Sequence, residues 1–241
     1  MKKTPFLISF FFTASLLLSA QQKIEFPSRD GVVIAADLYF QNDTLPYMIL
    51  CHQAGFSRGE YNETAAKFEK FMYNCLAIDL RSGNEVNGVK NETAIHAKEK
   101  NKTTAYIDSE QDILAAIDYV CTKSKKKVLL VGSSYSASLV LKIAAKDPRV
   151  KAVMAFSPGE YLGKAYSLKD NLKSIPVPVF VASSQEEGPE VTKLMDGIKA
   201  DHKQQFIPSS RGDHGSKALW RSNQNAHEYW LAILMFMRGV K

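Results

Sequence analysis

A serine, a glutamate and a histidine, set far apart in this chain, have the types and order needed to cleave an acyl bond together. The serine lies in Val128-Leu129-Leu130-Val131-Gly132-Ser133-Ser134-Tyr135-Ser136, where a short apolar run meets small residues and then helical spacing over 137–146. A serine at a strand-to-helix corner carries its hydroxyl out above the sheet edge, which is how G-x-S-x-G presents a nucleophile. Ser134 fits that corner best, with Gly132 two residues before it and Ser136 two after. Ser133 would put Val131 and Tyr135 at those places, too bulky for a tight turn, and Ser136 lies further into the helix.

Serine is a poor nucleophile until a base takes its proton, and the base needs a carboxylate to orient it. His214, in Arg211-Gly212-Asp213-His214-Gly215, is the one histidine of five in a glycine-flanked loop after a late strand. Glu186 and Glu187 follow the strand expected over 177–182; the loop length favours Glu187 as the acid, with Glu186 as the alternative. Serine, acid, histidine is the chain order expected when each sits on a loop after successive strands of one sheet. A tetrahedral intermediate also needs two N–H donors, and losing one lowers the rate about 10²–10³-fold. One donor is the backbone of Tyr135, and the other is Ala54 or Gln53, in the loop after the strand at 47–51. His52 precedes the serine and reads as a structural loop histidine. Cys51 beside it falls in a buried strand and points away from the sheet edge. Phe56, Tyr135, Tyr161 and Tyr166 are the aromatic residues available to line an apolar acyl pocket.

The elements that must position these residues alternate along the chain. Apolar runs predict strands over 23–26, 32–40, 47–51, 75–79, 128–131, 150–156, 177–182 and 205–207, the first two joined by the turn Ser28-Arg29-Asp30-Gly31. Helical spacing is expected over 61–72, from Asp108 (capped with Gln111 reaching back), over 137–146, from Pro189, and over 216–237. Residues 80–105 read as a long polar excursion with a short helix near 93–100, and 157–175 as a connecting segment. The alternation predicts an α/β domain spanning 21–241, with a mostly parallel sheet of about eight strands and helices on both faces. Right-handed crossovers then bring the carboxyl ends of the parallel strands to one edge, where ligands bind.

The 241-residue chain is 45% hydrophobic and 23% charged, with a formal charge of +6, enough for one well-buried core and too mild an excess to suggest a nucleic-acid partner. The run Lys123-Ser124-Lys125-Lys126-Lys127 has no interleaved aromatics and reads as a solvated loop. Residues 1–20 read as a secretory signal: Lys2 and Lys3, an apolar run over 6–18, then Ser19-Ala20. That run falls short of the ~20 residues of a spanning helix, so export to the periplasm or medium is expected, with no stable membrane insertion after cleavage. Cys51, Cys75 and Cys121 have no metal-site spacing and are expected as buried free thiols, with one disulfide open to them in an oxidising compartment. The Asn-x-Thr sequons at Asn42, Asn62, Asn91 and Asn101 are read as incidental.

Taken together, these motifs resemble the α/β-hydrolase superfamily, in particular its small capless dienelactone-hydrolase-like and esterase-like members. The resemblance rests on His52-Gln53-Ala54-Gly55, Asp79-Leu80-Arg81-Ser82-Gly83, the corner from Gly132 to Ser136, the acid pair and Asp213-His214-Gly215. It implies Ser134 as nucleophile, His214 as base, Glu187 as acid, and Ala54 and Tyr135 as oxyanion donors, acting without a cofactor on a small-molecule ester. The chain departs from the pattern at Gln53 and Ser136, where glycine is usual, at Glu187, where aspartate is commoner, and at Ser134, where dienelactone hydrolases themselves carry cysteine. Two rival readings are a peptidase using the same triad and a non-catalytic binding protein that keeps the fold.

Overall fold

Strands and helices alternate to build an eight-stranded sheet covered on both faces. The computed structural model describes residues 21–240 except Ala165. The expected signal segment, 1–20, lies outside the described residues. The strands are β1 (Gln21–Pro27), β2 (Val33–Tyr39), β3 (Tyr47–Cys51), β4 (Asn74–Ile78), β5 (Val128–Ser133), β6 (Val150–Phe156), β7 (Val179–Ala182) and β8 (Lys203–Phe206). Their spatial order is β1-β2-β4-β3-β5-β6-β7-β8. β1 and β2 form an antiparallel hairpin, and β2 joins β4 antiparallel; every later pairing is parallel. Gly31 turns the hairpin at φ 85°, a conformation open to glycine without a Cβ clash.

Because side chains alternate across a strand, each apolar run feeds two cores. Ile49, Leu130 and Val153 face one side, and Leu50, Val131 and Met154 the other. On the first side lie α3 (Glu110–Lys123), α4 (Tyr135–Ala144) and α6 (Gly188–Met195); on the second lie α1 (Ala65–Phe68) and α7 (Ala226–Gly239). The remaining helices, α2 (Glu92–Glu99) and α5 (Leu168–Asn171), sit within the two long connections. Double coverage explains why β3, β4 and β5 are buried along their whole length.

Several elements differ from the sequence expectation. The helix expected over 61–72 is broken into α1 flanked by 3-10 turns at Arg58–Tyr61 and Glu69–Phe71. The helix expected over 216–237 is a 3-10 turn, Gly215–Leu219, followed by α7. Between them the Asn223 amide donates to the Ala218 carbonyl (2.6 Å), and its carbonyl oxygen accepts from Asn225 N (3.1 Å). Such local side-chain bonds compete with helix continuation. Asp108 accepts from Ala105 N at 3.2 Å, so the cap lies one turn earlier than expected, on a 3-10 turn at Tyr106–Ser109. All three cysteines are free, with Cys51 and Cys75 buried and Cys121 only partly so.

The excursion over 80–105 is well built. It carries a two-stranded ribbon, Glu85–Val86 with Val89–Lys90, and then α2, capped by Asn91 Oδ1 accepting from Ala94 N at 2.8 Å. Two buried guanidiniums hold it to the sheet, to the β1–β2 turn and to α3. Arg58 bonds Asp79 (2.6 Å) and Glu92 (2.9 Å) and lies 3.1 Å from Asp37, while Arg81 bonds Asp112 (2.7 Å) and Asp30 (2.8 Å). Removing one partner of a buried ion pair strands the others without compensation. Arg58→Ala is therefore expected to lower unfolding stability by about 3–5 kcal/mol, read by urea titration; a loss below about 1 kcal/mol, as for an exposed pair, would contradict this role.

Candidate active site

Ser134 occupies the corner between β5 and α4 with φ 58° and ψ −121°, a strained backbone for a residue that carries a Cβ. The surroundings fix it. Ser134 N donates to Phe156 O at 2.8 Å. Ser136 Oγ accepts from Ser133 N at 2.8 Å and lies 2.8 Å from Cys51 O. The residue standing where a second glycine is usual thus uses its hydroxyl to lace the corner to the neighbouring strand. Gly132 has no such substitute: a Cβ there would come within 2.6 Å of Ala137 Cα and N.

Glu187 and His214 meet at the carboxyl edge of the sheet, where His214 Nδ1 is hydrogen-bonded to Glu187 Oε1. The other carboxylate oxygen, Oε2, accepts from Ser157 Oγ (2.6 Å), Ser184 Oγ (2.9 Å) and Ser184 N (3.0 Å). Burial alone would raise the Glu187 pKa. The bonds from His214, Ser157 and Ser184 outweigh it and hold the carboxyl down at about 2. Glu186 is exposed and lies outside this network. Gln185 N donates to Arg211 O (2.9 Å), tying the acid loop to the histidine loop, and Tyr229 on α7 donates to Ser183 O (3.0 Å) from below.

The histidine loop reaches the serine corner through Ser133. Ser216 N donates to Ser133 Oγ at 2.8 Å, and Gly215 N donates to Ser157 Oγ at 2.9 Å. Gly215 is required twice: its φ is +70°, and a Cβ would lie 2.5 Å from Ser133 Oγ and 2.9 Å from Gln53 Oε1. Among the described residues, no hydrogen bond joins Ser134 Oγ to the imidazole. Such bonds commonly tighten only when substrate is present.

A residue the sequence reading passed over sits beneath all of this. Glu60 is fully buried, and its carboxylate accepts from Ser133 Oγ (2.7 Å), Ser216 Oγ (2.6 Å) and Gln53 N (2.7 Å). Burial pushes its pKa up, opposed by those donors and by nearby His214. The Gln53 amide is thereby consumed, so of the two amides proposed for the oxyanion loop only that of Ala54 remains available. Its counterpart, Tyr135 N, lies in the first turn of α4, where amides have no intrahelical partner. Ser157, held at φ 53°, is a second unforeseen member, joining acid and histidine loops. A serine followed by Pro158-Gly159 at a strand end was the available signal.

The aromatic residues separate by location. Tyr161 is 38% exposed and lines a cleft together with Glu187, whereas Phe56 stacks on Trp220 (6.1 Å). Tyr135 is fully buried and stacks on Tyr106 (4.4 Å), so its ring is packing. Tyr166 lies on the α4 surface beneath the Lys142 ammonium, away from the corner, which removes it from the expected acyl pocket. His52 is fully buried: Nδ1 donates to Gln53 O (2.7 Å) and Nε2 accepts from Leu80 N (2.8 Å). Both ring nitrogens are engaged in holding the loop after β3 to the turn after β4. Among the described residues, no three of His, Cys, Asp and Glu group as a metal site would require.

Comparison with known proteins gives this geometry a context. The dienelactone hydrolase family model matches residues 32–206. The thiohydrolase apmlB of Arthrinium phaeospermum is 29% identical over 145 residues, 58% of this chain but only 44% of that protein. The Pyrococcus furiosus esterase Pf2001 superposes with a TM-score of 0.73 at 17% identity, covering 99% of both chains. The dienelactone hydrolase of Anabaena variabilis superposes with a TM-score of 0.68 at 16% identity, over 91% of this chain and 96% of that one. At such identities these two structures establish a shared fold.

His52 also gives the site a pH signature. Burial lowers its pKa from 6.5 to about 4. The unfolded chain takes up the proton first, so the stability His52 contributes is complete above pH 6.5 and is lost as pH falls towards 4. His52→Gln, which cannot titrate, is expected to be less stable than wild type at pH 7.5. The gap should close by about 3 kcal/mol by pH 4, measured by urea unfolding across that range; a gap independent of pH would contradict a neutral buried imidazole.

Proposed function

The chain belongs to the dienelactone hydrolase family, and from that membership and the site geometry we propose that it is a serine hydrolase cleaving a carboxylic ester or related acyl bond through an acyl-enzyme. The observation that carries the reading is the Glu187–His214 pair, pinned through Ser133 and Ser157 against the strained corner that presents Ser134. In this reading His214 Nε2 takes the Ser134 proton as Oγ attacks the acyl carbon, while Glu187 keeps the proton on Nδ1 and stabilises the imidazolium. The developing oxyanion lies between the amides of Ala54 and Tyr135, at the start of α4, where the helix dipole adds to the donors. His214 then gives its proton to the leaving group. Water, deprotonated by the same imidazole, attacks the acyl-enzyme, and the proton returns to Ser134 as the acid departs. Side chains and water complete this cycle without a cofactor.

The substrate we propose is a small-molecule ester. Thioesters belong in the same test panel because the Arthrinium relative is named a thiohydrolase. A peptidase reading is tested by setting peptide amides against p-nitrophenyl esters and short thioesters. Export, the reading of residues 1–20, is tested by N-terminal sequencing of the secreted protein, with a start at or near Gln21 expected and retention of Met1 contradicting it. No helix among the described residues is long and apolar enough to cross a membrane.

Ser134→Ala is expected to reduce ester turnover by at least about 10³-fold, with unchanged thermal stability. Glu187→Gln should reduce kcat by about 10²–10⁴-fold, and Glu186→Gln should leave it near wild type. Equal, mild losses in the two glutamine variants would show that neither carboxylate orients the base.

A further inference from the structure

We propose that the outward face of α7 docks against α7 of a second copy of this chain, antiparallel about a two-fold axis at position 233. The inference stands on the surface alone and is independent of the role given to Ser134. A helix covering a sheet normally buries one apolar stripe and turns a polar face to water. α7 buries Tyr229, Ala232, Ile233 and Phe236 in the core of the second side, and the middle of its other face is apolar as well. Leu231, Leu234 and Met235, spaced three and four apart, share one stripe of that face and are 59%, 39% and 61% exposed.

The surface beside the helix extends the patch. Met72, 60% exposed, lines a groove of about 330 Å³ together with Leu234, Phe71 and Met237. Met72 holds φ 64°, the left-handed conformation that glycine adopts most cheaply after a helix, so a long apolar side chain is presented there at a backbone cost. Met235, Met72 and Leu231 are the three most exposed large apolar side chains among the described residues, and Leu234 links them. Single exposed apolar residues are ordinary, whereas a contiguous group marks an interaction surface. Pro46 and Tyr73, which precede β3 and β4, also line the groove, so it opens at the amino edge of the sheet, away from Glu187 and His214.

Symmetry identifies the occupant. Leu231 and Met235 are centred on position 233, and so are the two charged residues that bracket the stripe, Glu228 and Arg238. These two stand about 15 Å apart along the helix axis. A two-fold axis through 233 sets Leu231 against Met235 of the second copy and Glu228 against its Arg238, each pair occurring twice. Leu234, one residue from the axis, meets its own copy. An isologous contact needs a surface complementary to itself, and this stripe is so in both apolar contact and charge. Glu228 is held in place for it: Ser209 N and Oγ each donate to the carboxylate at 2.9 Å, and Asn225 Nδ2 donates as well. An anionic lipid surface would be repelled by Glu228, whereas a second α7 supplies Arg238. A few apolar side chains per copy make a small interface, at the weak end of specific association, so a micromolar dissociation constant is expected.

Sedimentation velocity of the protein from about 1 to 200 µM, spanning that range, tests this. The wild type is expected to pass from monomer to dimer as concentration rises, and Leu231→Glu to stay monomeric with an unchanged melting temperature. Arg238→Glu and Glu228→Arg each set like charges against one another in their own dimers and should weaken dimerisation at least about tenfold. Mixed one to one, the two variants place opposite charges at both ends of a heterodimer, so the mixture should recover wild-type dimerisation. A wild type that stays monomeric throughout, a Leu231→Glu variant that dimerises as wild type does, or a mixture no more dimeric than its parts would overturn the proposal. A monomeric wild type that floats with phosphatidylglycerol vesicles, and no longer does so as Leu231→Glu, would assign the face to lipid and overturn it equally.

Discussion

Three loops from distant parts of the chain have to meet at one corner, and the buried carboxylate of Glu60 is what joins them. It accepts from the loop after β3 at Gln53 N, from the serine corner at Ser133 Oγ and from the histidine loop at Ser216 Oγ. A charge with no solvent contact is tolerated only when its lone pairs are filled by donors, and here the donors are the loops themselves. The arrangement is self-enforcing: moving any one loop leaves both a buried carboxylate and its donor short of a partner. The elements behind these loops are rigid, being β3, β5 and the turn that leads into α7. The corner thereby inherits the precision of the sheet.

On this base, two non-glycine residues with positive φ stand where the chemistry would occur. Ser134 and Ser157 both adopt positive φ without being glycine, and both are flanked by hydrogen bonds that over-determine them. Such positions persist only when surrounding structure compensates about 1–3 kcal/mol each. Glu187 receives donors on both oxygens, so it stays charged and fixed while the imidazole it holds remains partly open to the cleft. Fixed dipoles and charges need no reorganisation during reaction, which is the physical content of preorganisation.

How much of this was legible in the sequence depends on whether the signal was local. The corner was readable because β5 is an unbroken apolar run ending at Gly132, and Gly132 is needed for the contact with Ala137 that the structure displays. The parallel sheet followed from strand–helix alternation. Glu60 was not readable. It lies in Arg58-Gly59-Glu60-Tyr61 among polar neighbours, and its burial arises only when the Gly215–Leu219 turn closes over it. The residues alone left Gln53 and Ala54 open for the same reason, since the distinction turns on a bond from Gln53 to a carboxylate seven residues away. Within 80–105 the short helix was legible, but the ribbon and the anchoring of the whole stretch were hidden because they come from Arg58 and Arg81 pairing with acids on the sheet and on α3, not from local periodicity. The break before α7 was written in Asn223 and Asn225, whose side chains bond the backbone, but the apolar spacing around them masked it.

The central claim is that this framework exists to present Ser134 as a nucleophile. The most direct measurement is reaction of the protein with a fluorophosphonate, followed by intact-mass and peptide-level mass spectrometry. The account predicts one adduct per chain, on the peptide bearing Ser134, formed through loss of fluoride. An adduct on another side chain, or an unmodified protein that still hydrolyses esters, would contradict it.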